Sequence, residues 1–129
     1  MKGDTDIVLQ GQIWPNTLKC AMAYADLGFV NDVIISTSMS DLDKVSTFPE
    51  HPHLKYVITP VPENRGSGNM NIQIITSRAG LALTSSHIVV KMRSDQWIDK
   101  TSMHTMNDFF TLLTVRQNRH VVIQTIKLF

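Results

Sequence analysis

Ile88, Val89 and Val90 form an unbroken β-branched run, and the next charged residues, Lys91, Arg93 and Asp95, recur at every second position. A short apolar run without polar alternation marks a strand covered on both faces, as in a parallel sheet. Parallel neighbours cannot be joined by a hairpin and need long crossover connections, usually helices. Similar runs recur at 7–9, 33–35, 56–59 and 121–126. Between them lie segments with helical spacing, at 15–27, weakly at 41–47, from 69 or 71 to 84, and from 101 or 102 onward. Pro15 suits the first position of a helix, and Gly80 inside the third predicts a close approach of its backbone to the sheet or to a ligand. The alternation predicts one α/β domain over 1–129, a Rossmann-like three-layer αβα arrangement on a mostly parallel sheet of about five strands.

Composition narrows the function classes. The chain has 129 residues, 43% hydrophobic, with a formal charge of +1, so nothing in its charge argues for nucleic acid as a partner. No stretch approaches the ~20 apolar residues of a membrane span, and the amino-terminal residues do not read as a signal peptide. A single cysteine, Cys20, excludes an internal disulfide and falls on an apolar helix face. Together these features predict a soluble, cytoplasmic protein.

In open parallel sheets ligands collect beyond the carboxyl ends of the strands. On an extended strand Lys91, Arg93 and Asp95 point one way, so Arg93 and Asp95 could hold a metal or a diphosphate, or could simply pair and close the strand end. Hydroxyls crowd the end of the second strand at Ser36 and Thr37. Asn69, Asn71 and Gln73 gather at the amino end of the third helix, where free N–H groups favour phosphate. Arg78 lies farther along that helix and reaches the sheet edge only if the helix end is close. Gly11-Gln-Ile-Trp-Pro has the wrong spacing for a dinucleotide fingerprint or a phosphate loop. His51-Pro-His53 lacks companion ligands and reads as a turn, and His87 and His120 read as structural. Thr59-Pro60 stands where a receiver-like domain would need a phosphorylatable aspartate.

Four blocks then carry a resemblance: Asp6-Ile-Val-Leu-Gln-Gly11, Val33-Ile-Ile-Ser-Thr37, Asn69-x-Asn71-x-Gln73-Ile74 with Gly80-Leu81, and Val90-Lys-Met-Arg-Ser-Asp95. In this order and spacing they resemble the WavE-type lipopolysaccharide synthesis family. The last two are also similar to the helix-to-strand segment of family-2 glycosyltransferases that ends in Asp-x-Asp. The resemblance implies a GT-A-like, nucleotide-sugar-dependent glycosyltransferase with a glycan or glycolipid acceptor. It implies that Gln10 and Gly11 line the nucleoside, Ser36 and Thr37 the base or ribose, and Asn71 the phosphates. Arg78 and Lys91 would assist, with Arg93 and Asp95 at the diphosphate.

The second aspartate of Asp-x-Asp falls on Asp95, whereas Arg93 stands in place of the first. Two mechanisms follow. Asp95 alone anchors a divalent cation, manganese or magnesium, or Arg93 neutralises the diphosphate without metal. Family members are longer, so the chain is expected to be the nucleotide-binding part, with a final apolar strand favouring a homo-oligomer. A non-catalytic nucleotide-binding or interaction domain, a remnant of such an enzyme, is the alternative expectation.

Overall fold

The computed structural model of the protein describes residues 3–117 and 121–124, with side chains from 3 to 108. The strands are β1 (Thr5–Gln10), β2 (Val30–Ser38), β3 (Leu54–Thr59), β4 (Ile88–Arg93) and β5 (Val121–Gln124). The helices are α1 (Thr17–Ala25), a short α2 (Leu42–Val45), α3 (Met70–Ala82) and α4 (Lys100–Gln117). All neighbouring strands pair in parallel in the order β3-β2-β1-β4-β5. The expected α/β class with a parallel sheet flanked by helices is therefore observed. Expectations placed on His120, on Thr125 and Ile126, and on the side chains after Asp108 lie outside the described residues.

Each strand's alternation sorts its side chains between two faces. Ile7 and Leu9, Val33 and Ile35, and Ile88, Val90 and Met92 form the larger core with Ala21, Tyr24 and Ala25 of α1, Val45 of α2 and Met103 of α4. Val8, Ile34 and Val89 face the other way, against Leu81. α3 covers this second face at short range, since a β-carbon on Gly80 would lie 2.6 Å from Val8 Cγ1 and 3.0 Å from Ser36 Cβ. The close approach expected of Gly80 is to the sheet. The face of α3 that meets it runs through Thr76 and Gly80, both buried, while Ala82, expected on that face, is exposed.

The amino ends of the strands are tied together by one carboxylate. Asp6 is fully buried, and its two oxygens accept from Asn31 Nδ2, from the backbone N–H groups of Asp32, Ser85 and Ser86, and from Ser86 Oγ. These bonds pin the start of β2 and the hinge between α3 and β4 to β1. The carboxyl ends are left open above them.

Candidate functional site

The chain leaves β1 toward β2 on one side and β4 lies on β1's other side, so strand order reverses between β1 and β4. Connections diverge at such a point and open a crevice at the carboxyl ends of the two strands. A crevice of about 330 Å³ is found there. Its floor is made by Gln10, Gly11 and Gln12 after β1 and by Arg93, Ser94 and Asp95 at the end of β4. Thr37 and Ser38 of β2 and Ser40 just after it wall one side, and Arg65, Asn69, Gln73 and Thr76 the other, from the loop before α3 and from α3 itself.

Backbone and side-chain hydrogen bonds fix this floor. Ser94 N–H donates to Gln10 O at 2.9 Å and Ser94 Oγ to Gln12 O at 2.5 Å, while Gly11 N–H donates to Ser36 O at 3.1 Å. Thr17 Oγ1 donates to Ser94 O at 3.1 Å and so ties the start of α1 to the same turn. Gln10 Nε2 donates to Thr76 Oγ1 at 2.9 Å, linking β1 to α3. Asp41 is buried and accepts from Ile13 N–H at 2.8 Å and Thr37 Oγ1 at 3.4 Å, holding the β1 loop against the end of β2.

The loop before α3 owes its shape to three residues with left-handed φ, Gly66, Gly68 and Asn69 at +75°, +61° and +60°. Only Asn69 carries a side chain there, and asparagine is among the residues that tolerate that region best. Asn71 Nδ2 donates to Asn64 O, and Gly66 N–H to Asn64 Oδ1, both at 2.9 Å. These contacts close the loop and leave Arg65, an exposed residue, on the crevice wall.

Not all the expected site residues meet here. Gln10, Gly11, Thr37, Arg93 and Asp95 line the crevice. Ser36 does not, because it is fully buried beneath α3 and donates to Thr76 O at 2.5 Å. Asn71 is spent on the Asn64 loop. Its neighbours Asn69 and Gln73 line the crevice instead, without a side-chain cap on α3 from Asn69. Arg78 is exposed and lies away from the crevice lining, farther along α3.

Lys91 shares the face of Arg93, as the alternation predicts, but one rung lower in the sheet, opposite Val8, where it is buried. Desolvation first, and then the Arg93 charge, lower its pKa from the ordinary lysine value.

Arg93 Nη2 donates to Asp95 Oδ2 at 2.8 Å. This pair is exposed, with 63% of the Arg93 and 32% of the Asp95 side chain open to solvent, so it adds at most about 1 kcal/mol to stability. The pairing expected of that strand end is observed, and the same two side chains line the crevice. Sequence reasoning missed Arg65, the second guanidinium of the crevice. It also missed Asp99, which caps α4 by accepting from Ser102 N–H at 2.9 Å and Ser102 Oγ at 3.1 Å; those bonds hold its carboxyl below the usual range.

Among the described residues no cluster of three or more histidine, cysteine, aspartate or glutamate side chains could hold a metal ion. None of their helices is long and apolar enough to cross a membrane. No family model matches the chain, and comparison with curated proteins and with solved structures gave no match either.

Proposed function

We propose that the crevice between β1 and β4 binds the diphosphate of a nucleotide sugar, and that the chain is the donor-binding part of a glycosyltransferase of polysaccharide or lipopolysaccharide synthesis. The observation that carries this reading is the convergence of two guanidinium groups, Arg65 and Arg93, on a polar crevice at the point where strand order reverses. Arginine presents a planar fork of donors that matches phosphate oxygens two at a time. Thr37, Ser38, Ser40, Asn69 and Gln73 add the neutral hydrogen-bonding groups that suit a ribose or a base. The four sequence blocks that resemble the WavE-type family support the same reading, since three of them end at this crevice.

The donor set favours diphosphate neutralisation by arginine over a protein-held divalent cation. Asp95 is the one carboxylate among the described crevice residues, and its Oδ2 is already engaged by Arg93. A cation at that oxygen would sit beside a fixed positive charge and would have a single protein ligand, the low end of the one or two carboxylates that a magnesium site uses beside phosphate oxygens and waters. In this reading Arg93 and Arg65 hold the diphosphate, and Asp95 orients Arg93 and accepts from a ribose or sugar hydroxyl.

Calorimetric titration with uridine, guanosine, cytidine and thymidine diphosphate sugars, with and without manganese, tests the proposal. Binding of at least one nucleotide sugar is expected, with little change on adding the metal. Absence of binding across the panel would remove the donor site.

A further inference from the structure

Beside the crevice, and sharing Ser94 and Asp95 with it, lies a second groove of about 560 Å³. Its walls are Pro15, Asn16, Lys19, Cys20 and Ala23 on the α1 side and Gln96 and Trp97 after β4, and it shares Trp14, Ser94 and Asp95 with the crevice. Trp14 and Trp97, the chain's two tryptophans, both line it, and each is 47% exposed. Indole rings are ordinarily drawn inward by their large apolar area. Two half-open ones lining a single groove give it exposed aromatic surface among polar groups.

Trp97 is held in position from beneath. Its ring stacks on that of Tyr24 with centroids 5.2 Å apart and planes 19° from parallel. Tyr24 is itself buried, and its hydroxyl accepts from Ile98 N–H at 3.0 Å. On the other wall, Trp14 N–H donates to Thr17 Oγ1 at 2.9 Å, which fixes the turn that carries it to α1. The Trp97 ring is thus held by its stack and the Trp14 backbone by its turn, and pre-ordered aromatic surface costs little ordering on binding.

From this placement we infer that the groove seats a saccharide, the acceptor sugar, against Trp14 and Trp97. A pyranose ring has an apolar face of axial C–H groups that lies flat on an indole, and a rim of hydroxyls that needs donors and acceptors at the edge. Asn16, Lys19 and Asp95 line the same groove, so the lining combines aromatic surface with a few polar groups, as small-molecule sites do. The inference rests on the nucleotide-sugar reading of the crevice: since the two cavities share Trp14, Ser94 and Asp95, a sugar in the groove would lie beside a donor sugar. It also locates an acceptor contact on this half of the fold, before β5.

The test uses the whole chain and trisaccharides of glucose, galactose, mannose and N-acetylglucosamine, with binding read by saturation-transfer NMR and tryptophan fluorescence. Nucleotide-sugar binding is measured separately on the same samples. Wild type is expected to bind at least one trisaccharide. Trp97→Ala, in the groove alone, should weaken that binding about tenfold or more while leaving nucleotide-sugar affinity within about threefold; Trp14→Ala, whose ring also lines the crevice, should weaken trisaccharide binding to a similar degree. Met70→Ala, an exposed apolar residue outside both cavities, should change neither. Should Trp97→Ala fail to fold for want of its stack on Tyr24, the trisaccharide binding of Trp14→Ala decides. Nucleotide-sugar binding with no trisaccharide binding, or trisaccharide binding unchanged in the tryptophan variants, overturns the saccharide groove alone. Failure of both ligands overturns the crevice reading as well.

Discussion

Ser94 closes over Gly11. A β-carbon on Gly11 would stand 2.7 Å from Ser94 Oγ, and Gly11 has a φ of +134°, a conformation that side chains rarely adopt. The loop after β1 can therefore pass beneath the turn after β4 only as glycine, and that passage forms the crevice floor. Gly11→Ala is expected to cost about 1–3 kcal/mol in urea unfolding and to weaken nucleotide-sugar binding. Adding Ser94→Ala removes the clash but not the backbone strain, so the double variant should recover only part of the loss.

Gly80 makes the matching contact on the opposite side of β1. Alanine gains about 1 kcal/mol of helix propensity there, but its methyl would press on Val8 Cγ1 and Ser36 Cβ within a packed layer, and overpacking of that kind costs about 1–3 kcal/mol. Gly80→Ala should therefore be destabilising. Gly28, with nothing within 4 Å of the equivalent position, provides the contrast: Gly28→Ala should be neutral or stabilising by up to about 1 kcal/mol. A stabilised Gly80→Ala variant would mean that α3 does not press on the sheet as described.

The strand cores could be read from the sequence because residues covered on both faces must be apolar on both faces, and runs such as Val33-Ile34-Ile35 have few other uses. The strand tips could not. Thr5, Asp6 and Gln10 are polar yet buried, because each finds partners that only the folded chain supplies. Arg93 and Asp95 were identifiable because they follow such a run directly. Arg65 was not, since a loop of proline and glycine gives no direction, and it is the Asn64 contacts and the bond from Asn71 N–H to Arg65 O that hold it at the crevice. Strand alternation placed Lys91 on the correct face but at the wrong height. The crevice begins one rung higher, at Gln10 and Arg93, and the period of two says nothing about where the helix layer ends.

Asp6 shows what such hidden partners are worth. Replacement by alanine leaves the backbone N–H groups of Asp32 and Ser86, both buried, without their acceptor, and each buried, unsatisfied donor costs about 1–3 kcal/mol. Asp6→Ala should lose at least about 2 kcal/mol in chemical unfolding. Asp6→Asn should also be destabilised, because its amide has one acceptor oxygen where the carboxylate has two. Neither change touches the crevice, so any folded fraction should bind nucleotide sugar normally.

Tyr24 predicts an alkaline limit. Burial pushes its phenol up from 10.0 to about 12, against a smaller opposing effect from the Ile98 hydrogen bond. The folded chain then keeps a proton that the unfolded chain releases from pH about 10 upward. Stability contributed by Tyr24 is complete below pH 10 and is lost as pH rises toward about 12, a fall of roughly 2–3 kcal/mol for a difference of about two pH units. Tyr24→Phe should be less stable at neutral pH for want of the Ile98 bond, yet show a shallower decline between pH 10 and 12 in parallel urea titrations. An equally steep decline would assign the alkaline loss to other groups.

Arg93 and Asp95 separate stability from ligand binding. Because both side chains are exposed, Arg93→Ala and Asp95→Ala should each change unfolding free energy by less than about 1 kcal/mol, so a loss of binding cannot be put down to misfolding. A charge-assisted hydrogen bond to phosphate contributes about 1.5–3 kcal/mol. Arg93→Ala should therefore weaken nucleotide-sugar affinity about 10- to 100-fold, and Arg65→Ala should do the same if both forks grip the diphosphate. Asp95→Ala is expected to weaken binding as well, by freeing Arg93 from its 2.8 Å contact and removing an acceptor for a sugar hydroxyl. Manganese discriminates between the two mechanisms. If arginine carries the diphosphate, the metal leaves all of these affinities nearly unchanged. If Asp95 anchors a cation instead, wild type tightens with manganese, Asp95→Ala does not respond, and Arg93→Ala, relieved of a competing positive charge, responds more strongly than wild type.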